Sequence, residues 1–274
     1  VTASQQESLA TYVAADLEAK LGARRTMLHQ MAATFPLDIL DDKAKVQGWL
    51  AQRYVLQPLF TRGLFITDAQ GITLADYPEF PQRAGLSYAD RDYIQGALNG
   101  ELVFGRPLAS GRVSKEPILP LAAPIKDISG KVRAVLVGIT ALNDAGFMTL
   151  PGPGALGEGN GFLVISPRDK VYVASSQPDM MLKPTPPPGI NPLHDRAMAG
   201  YRGSGLTVNV QQVEEVAGIA SVPSTGWFVV ARVPAAQALA SVQRAQQYVA
   251  GNSIVILCVF LLFAGGGMFV IFKP

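Results

Sequence analysis

The chain has 274 residues, and its 23 lysines and arginines nearly cancel its 21 aspartates and glutamates. No run of five like charges occurs, so neither the balance nor the patterning of charge offers a nucleic-acid surface. The single cysteine, Cys258, lies in an apolar stretch near the C-terminus, which leaves the rest of the chain without disulfides or cysteine-based metal sites.

Residues 1–20 carry no apolar core of the secretory-signal type. An upstream anchor and a downstream portion are therefore expected to lie outside this sequence. Leu9, Val13, Leu17, Leu21, Leu28 and Met31 recur mostly every four residues between polar neighbours and predict a long amphipathic helix over residues 3–35, stopped by Pro36. Asp41 and Asp42 are placed to cap a second helix that runs through Trp49 and Leu50 to about Val55. A hairpin follows, with strands over 64–67 and 72–75 and a turn at Asp68-Ala69-Gln70-Gly71. Residues 77–90 read as a loop, and Asp90 as the cap of a short helix over 91–99 that Gly100 ends. Strands near 102–105, 118–125 and 132–140 complete this half, the last two joined by a tight turn at 126–130. The pattern is an α+β one, with antiparallel strands and helices expected on one face.

Residues 151–161 are rich in glycine and proline and read as a junction. A shorter version of the same plan then follows. Strands over 161–166 and 171–175 flank Pro167-Arg168-Asp169-Lys170, a short helix covers 192–199, and strands cover 206–210, 216–222 and 227–233. Pro234 suits the first turn of a final helix carrying Leu239, Val242 and Val249. That helix leads into residues 254–272, nineteen residues without a charge, thirteen of them Val, Ile, Leu or Phe. Each of the thirteen favours insertion by roughly 0.3 to 0.6 kcal/mol, about 4 to 8 kcal/mol together, so the run is expected to span a membrane.

The stretch from Ser87 to Val137 resembles the signature of double Cache sensor domains, in which an Arg-x-Tyr opens a short helix beside the binding pocket. The resemblance is specific in Asp90-Arg91-Asp92-Tyr93, in Gly105-Arg106-Pro107 and in the strand and turn from Pro117 to Asp127. Over the second half it extends only to layout. It implies a periplasmic or extracellular ligand-sensing region of a bacterial receptor in the cell membrane, with two tandem PAS-like domains on a long N-terminal helix. The divisions expected are the N-terminal helix at 1–35, a membrane-distal domain at 36–150, a membrane-proximal domain at 151–234, a juxtamembrane helix at 235–253 and a transmembrane helix at 254–272. Such modules feed histidine kinases, chemoreceptors, diguanylate cyclases or phosphodiesterases, so any catalytic activity belongs to a cytoplasmic output domain.

By the same resemblance Tyr88, Arg91 and Tyr93 are the expected ligand contacts. The chemistry of an arginine fork that grips a carboxylate between aromatic walls agrees with that assignment. Arg106, Ser110 and Lys115, at a strand end or in the following loop, are further candidate donors. The amino-acid-binding branch of the family pairs an Arg-x-Trp-Tyr run with an acidic residue late in the last strand of the distal domain. Here the run is Arg91-Asp92-Tyr93-Ile94 and the strand end is Val137-Gly138-Ile139-Thr140, so an amine has no evident partner. A small carboxylate such as an organic acid is the ligand class that remains. A homodimer working through the membrane is the expected assembly. The competing reading is a membrane-tethered protein-interaction module whose pocket is vestigial.

Three other motifs give no chemistry. Residues 152–157 satisfy GxGxxG, but Pro153 and the glycines beyond deny it a helix to receive a pyrophosphate. His29 and His194 stand far apart without paired ligand spacing, so no metal or other cofactor is expected. No Gly-x-Ser-x-Gly elbow exists, and no catalytic residue is assigned.

Overall fold

The computed structural model describes residues 3–56, 59–113, 115–148, 150–151 and 160–238. Helix α1 (Ala3–Ala33) forms the spine, about 46 Å long at 1.5 Å per residue. Helix α2 (Lys43–Leu56) follows, its start held by Asp42, whose carboxylate accepts the Lys45 N–H at 3.2 Å. Two five-stranded antiparallel sheets come next. The first contains β1 (Leu64–Asp68), β2 (Thr73–Tyr77), β3 (Val103–Phe104), β4 (Ile118–Lys126) and β5 (Val132–Ala141), in the order β2-β1-β5-β4-β3. The second contains β6 (Gly161–Ser166), β7 (Val171–Ser175), β8 (Gly203–Val208), β9 (Glu214–Val222) and β10 (Trp227–Pro234), in the order β7-β6-β10-β9-β8. Each sheet therefore starts with a hairpin and inserts its last strand beside the first. In both, a short helix sits between the hairpin and the remaining strands: α3 (Asp92–Leu98) and α4 (Pro192–Met198).

The sheets are covered on both faces, which corrects the expectation of helices on one. Side-chain alternation divides the first sheet: Leu64, Ile66, Leu121 and Leu136 pack with Leu28 and Met31 of α1 and with Trp49 and Leu50 of α2. Phe65, Ala122, Val135 and Val137 face the other way, onto Tyr93, Ile94 and Ala97 of α3. The second sheet repeats the division. Phe162, Val164, Trp227 and Val229 meet Ala10, Ala14, Leu17 and Leu21 of α1, while Leu163, Ile165, Ile219 and Phe228 face Leu193 and Ala197 of α4. A strand buried on both sides loses its polar alternation, so the pattern marked these strands without telling which covering lay where.

The first helix departs from its predicted stripe at one end. Leu9 is 44% exposed, and Ala10 and Ala14 face the sheet instead. Gly218 of β9 explains the change, because a Cβ there would overlap the backbone of Gln6 and Glu7. Helix and strand approach so closely that only small side chains fit between them. Midway along α1, buried Arg24 marks the passage from one sheet to the other. Its Nε donates to Thr140 Oγ1 at 3.2 Å, its Nη1 donates to the Lys20 carbonyl at 3.0 Å, and its guanidinium lies 4.1 Å over the Phe147 ring. Burial pushes its pKa down to about 10, against the pull of Asp144, so it remains a cation at neutral pH.

Strand β10 gives way at 235–238 to a turn of helix. Among the described residues no helix is long and apolar enough to cross a membrane; the apolar run at 254–272 and all but the first turn of the helix expected over 235–253 lie outside them.

Candidate functional site

The outer face of the first sheet carries the loop and helix on which the expected contacts sit. The loop is tied to the β1–β2 turn: Tyr88 N–H donates to the Gly71 carbonyl at 2.7 Å, and Thr73 N–H donates to Leu86 at 2.9 Å. Gly71 has φ +78° and would drive a Cβ to 2.9 Å from Ala89 Cα, so both its backbone angle and its contact require glycine. Arg91, rather than Asp90, occupies the N-cap position of α3 in extended conformation. Its backbone carbonyl accepts from Ile94 and Gln95, while Asp92 turns its carboxylate to the Tyr93 N–H at 2.8 Å. Arg91 is thereby positioned by its main chain, and its side chain is released to the sheet face.

Phe65, Arg83, Tyr88, Arg91, Tyr93 and Arg112 border a hollow there, closed further by Leu108, Ile118 and Ile139. Phe65 and Tyr88 stack obliquely with centroids 4.9 Å apart. Arg83 is 3% exposed and its guanidinium covers the rings of Phe80 at 4.5 Å and Phe65 at 5.2 Å. Asp76, equally buried, lies 3.5 Å from Arg83 Nη1, yet Nε and Nη1 of Arg83 make no hydrogen bond. Arg91 is similar: its Nε is buried without a hydrogen-bond partner, and the nearest carboxylate oxygen, on Asp90, is 3.9 Å away. Asp90 is bound more tightly by Arg112, at 2.6 Å. Among the described residues, three guanidiniums thus face two carboxylates, Asp76 and Asp90, and no carboxylate borders the hollow itself.

Burial sets the protonation of the surrounding groups. Desolvation raises the pKa of Tyr88 against the opposing pull of Arg83, and raises that of Tyr93 further, so both remain phenols and potential donors. Desolvation also raises Asp76, opposed by the Phe80 N–H that donates to it at 2.9 Å and by Arg83.

The structure brings Tyr88, Arg91 and Tyr93 together and leaves the other three candidates outside. Arg106 is 63% exposed and is drawn away from the hollow by Asp92 at 3.6 Å and by Asp169, in the β6–β7 turn, at 3.4 Å. Ser110 and Lys115 are exposed on the loop, which borders the hollow through Gly111, Arg112 and Val113 instead. Arg83 and Arg112 were not anticipated. The hollow itself is about 20 Å³, far below the space expected for a metabolite.

A family model of the Cache domain matches residues 1–242. The chain belongs to the Cache domain family. Cache domains are extracytoplasmic, non-catalytic ligand-binding sensor modules of membrane receptors. Among solved structures the Cache fold is shared with the sensor domain of the V. cholerae histidine kinase DctB, at 15% identity and TM-score 0.63, over 85% of this chain and 96% of that one. It is shared with the ligand-binding domain of the Pseudomonas fluorescens chemoreceptor CtaA in complex with L-serine, at 18% identity and TM-score 0.63, over the same shares. The Campylobacter jejuni chemoreceptor Tlp3 domain in complex with L-valine matches at 13% identity and TM-score 0.62, over 85% of this chain and 92% of that one. At these identities the likeness is one of fold. No curated protein matches the chain.

Proposed function

We propose that this Cache chain is the sensing region of a bacterial membrane receptor and that the outer face of its first sheet binds a small carboxylate. The observation that carries the reading is the buried Nε of Arg91, which has no hydrogen-bond partner, beside the Arg83 guanidinium and the hydroxyls of Tyr88 and Tyr93. A buried donor without an acceptor is costly, and a carboxylate supplies two acceptor oxygens and the charge that the third guanidinium leaves uncompensated. An amino acid, the ligand in the CtaA and Tlp3 complexes, would bring an amine to a wall that has no carboxylate.

In this reading the small hollow is a closed arrangement, and entry requires the segment over residues 77–115 to move outward. Occupied and empty states then differ in the position of that loop, which is the differential a ligand needs in order to shift an equilibrium. In this reading residues 36–150 form the membrane-distal domain, residues 151–234 the proximal one, and a homodimer passes the change through residues 235–272. The size of the hollow also supports a second reading, a tethered protein-interaction module in which the pocket is vestigial.

Thermal unfolding with acetate, succinate and L-serine separates the two readings. A carboxylate selective for the folded state raises the melting temperature in a saturable way, and Arg91→Ala removes the rise while the unliganded melting temperature stays within a few degrees. No rise with either acid, or an equal rise in the Arg91→Ala variant, overturns the carboxylate site.

A further inference from the structure

The second sheet has a larger opening than the first. Its outer face, under α4, encloses a cavity of about 370 Å³, within the range of about 300 to 1,000 Å³ that small-molecule sites occupy. Leu163, Ile165, Ile219 and Phe228 form its apolar floor and walls. Five of the polar side chains on it, Asn191, Thr207, Asn209, Glu215 and Arg232, are engaged in hydrogen bonds. Asn191 accepts the His194 N–H at 2.9 Å and the Thr207 hydroxyl at 2.7 Å, which fixes the start of α4. Glu215, 5% exposed, accepts from Asn209 Nδ2 at 2.6 Å and from Arg232 Nη1 at 3.2 Å.

Among the described residues, two buried side-chain nitrogens on this cavity have no hydrogen-bond partner. His194 Nε2 and Arg232 Nε are buried and make no hydrogen bond. Charge decides what they accept. Arg232 is neutralised by Glu215, and the imidazole of His194 is desolvated, which disfavours its cationic form. A carboxylate entering here would meet the carboxylate of Glu215, and an ammonium would meet Arg232, each with no free counter-charge in an apolar enclosure. An uncharged ligand avoids both penalties, and one oxygen on it answers the free N–H of Arg232.

We propose that the cavity on the outer face of the second sheet is a separate binding site for an uncharged, largely apolar small molecule bearing a carbonyl or hydroxyl oxygen. This site is distinct from the carboxylate site in residues, in charge and in ligand class.

The chain has only two histidines, His29 and His194, so the side-chain nitrogen resonances of a ¹⁵N-histidine-labelled full chain are assignable by replacing His29 with Gln. The probe is 2-heptanone, and hexanoate serves as its charged counterpart of the same size. Detergent is held constant throughout, so that partitioning of the probe is common to every arm. We expect 2-heptanone to shift the His194 nitrogens saturably, hexanoate to require at least tenfold higher concentration, and Ala217→Leu, which fills the cavity from β9, to weaken the ketone response at least tenfold. Arg91→Ala leaves that response unchanged. Absence of a saturable His194 shift with 2-heptanone in the parent chain overturns the proposal, as does an equal shift in the filled variant. Equal or tighter binding of hexanoate overturns the assignment to an uncharged ligand. The parent-chain titration decides the matter even if Ala217→Leu does not fold.

Discussion

The two outer faces of the sheets are the same scaffold finished differently. Helices α3 and α4 occupy equivalent places, and the pairs Tyr93 and Leu193, Ile94 and His194, and Ala97 and Ala197 stand at equivalent turns. Both helices are followed by a glycine with positive φ, Gly100 at +90° and Gly200 at +104°, whose N–H donates to Ala97 or Ala197. The first face is then filled by aromatic rings and by Arg83, brought in by the loop after β2, leaving about 20 Å³. The second, roofed by a leucine and a histidine, keeps about 370 Å³. Strand order does not determine whether a face is open. The side chains of one short helix and the loop that precedes it do.

The comparison is tested most severely at Arg83. If that residue holds the first face shut, Arg83→Met removes both the ring contacts and the counter-charge of buried Asp76. Stranding a buried carboxylate costs about 3 to 5 kcal/mol. Urea unfolding should show a loss of that order, and Asp76→Asn combined with Arg83→Met should recover much of it, because the amide carries no charge to strand. A loss below about 1 kcal/mol in the single variant would mean that the first face is not built around this pair.

A smaller effect is expected at Tyr93, where the two helices differ most directly. Tyr93→Leu installs the residue found at the same turn of α4. Removal of a buried ring for a smaller apolar side chain costs about 2 kcal/mol and leaves a void. The variant should lose stability by that amount and bind acetate or succinate with a changed apparent affinity, since it enlarges the hollow proposed to receive those ligands. Unaltered stability would show that the ring does not fill the face.

These differences also mark where the sequence ceased to be legible. Most strands and helices among the described residues follow from periodicity and from turn residues such as Asp68-Ala69-Gln70-Gly71 and Pro167-Arg168-Asp169-Lys170, because those signals are local. The Arg-x-Tyr at 91–93 pointed by resemblance to the face on which Tyr88, Arg91 and Tyr93 come together. Arg83 was invisible to both arguments: an arginine in a proline-containing loop reads as solvated, and only the tertiary approach of Phe65, Phe80 and Asp76 buries it. The position of Arg106 was equally hidden, since one of its two carboxylate partners, Asp169, lies sixty-three positions along the chain, in the other hairpin. The second cavity had no sequence signal at all, because empty space is set by what faces it and not by any one residue.

The smallest predicted effect concerns His194, the group by which the open face differs most in chemistry from the closed one. Burial lowers its pKa below the ordinary value of 6.5, partly offset by neighbouring Asp195, with Glu215 and Arg232 on the same cavity cancelling each other. The unfolded chain therefore takes up a proton near pH 6.5 that the folded chain still refuses, so stability is intact above that pH and declines as the pH falls through it. One proton sets a ceiling of about 1.4 kcal/mol per pH unit, and partial exposure brings the effect below it. His194→Gln, which keeps a hydrogen-bonding group but cannot titrate, should flatten the stability profile between about pH 7 and pH 5. A parent profile no steeper than that of the variant would place His194 in a wet environment and remove the contrast between the two faces.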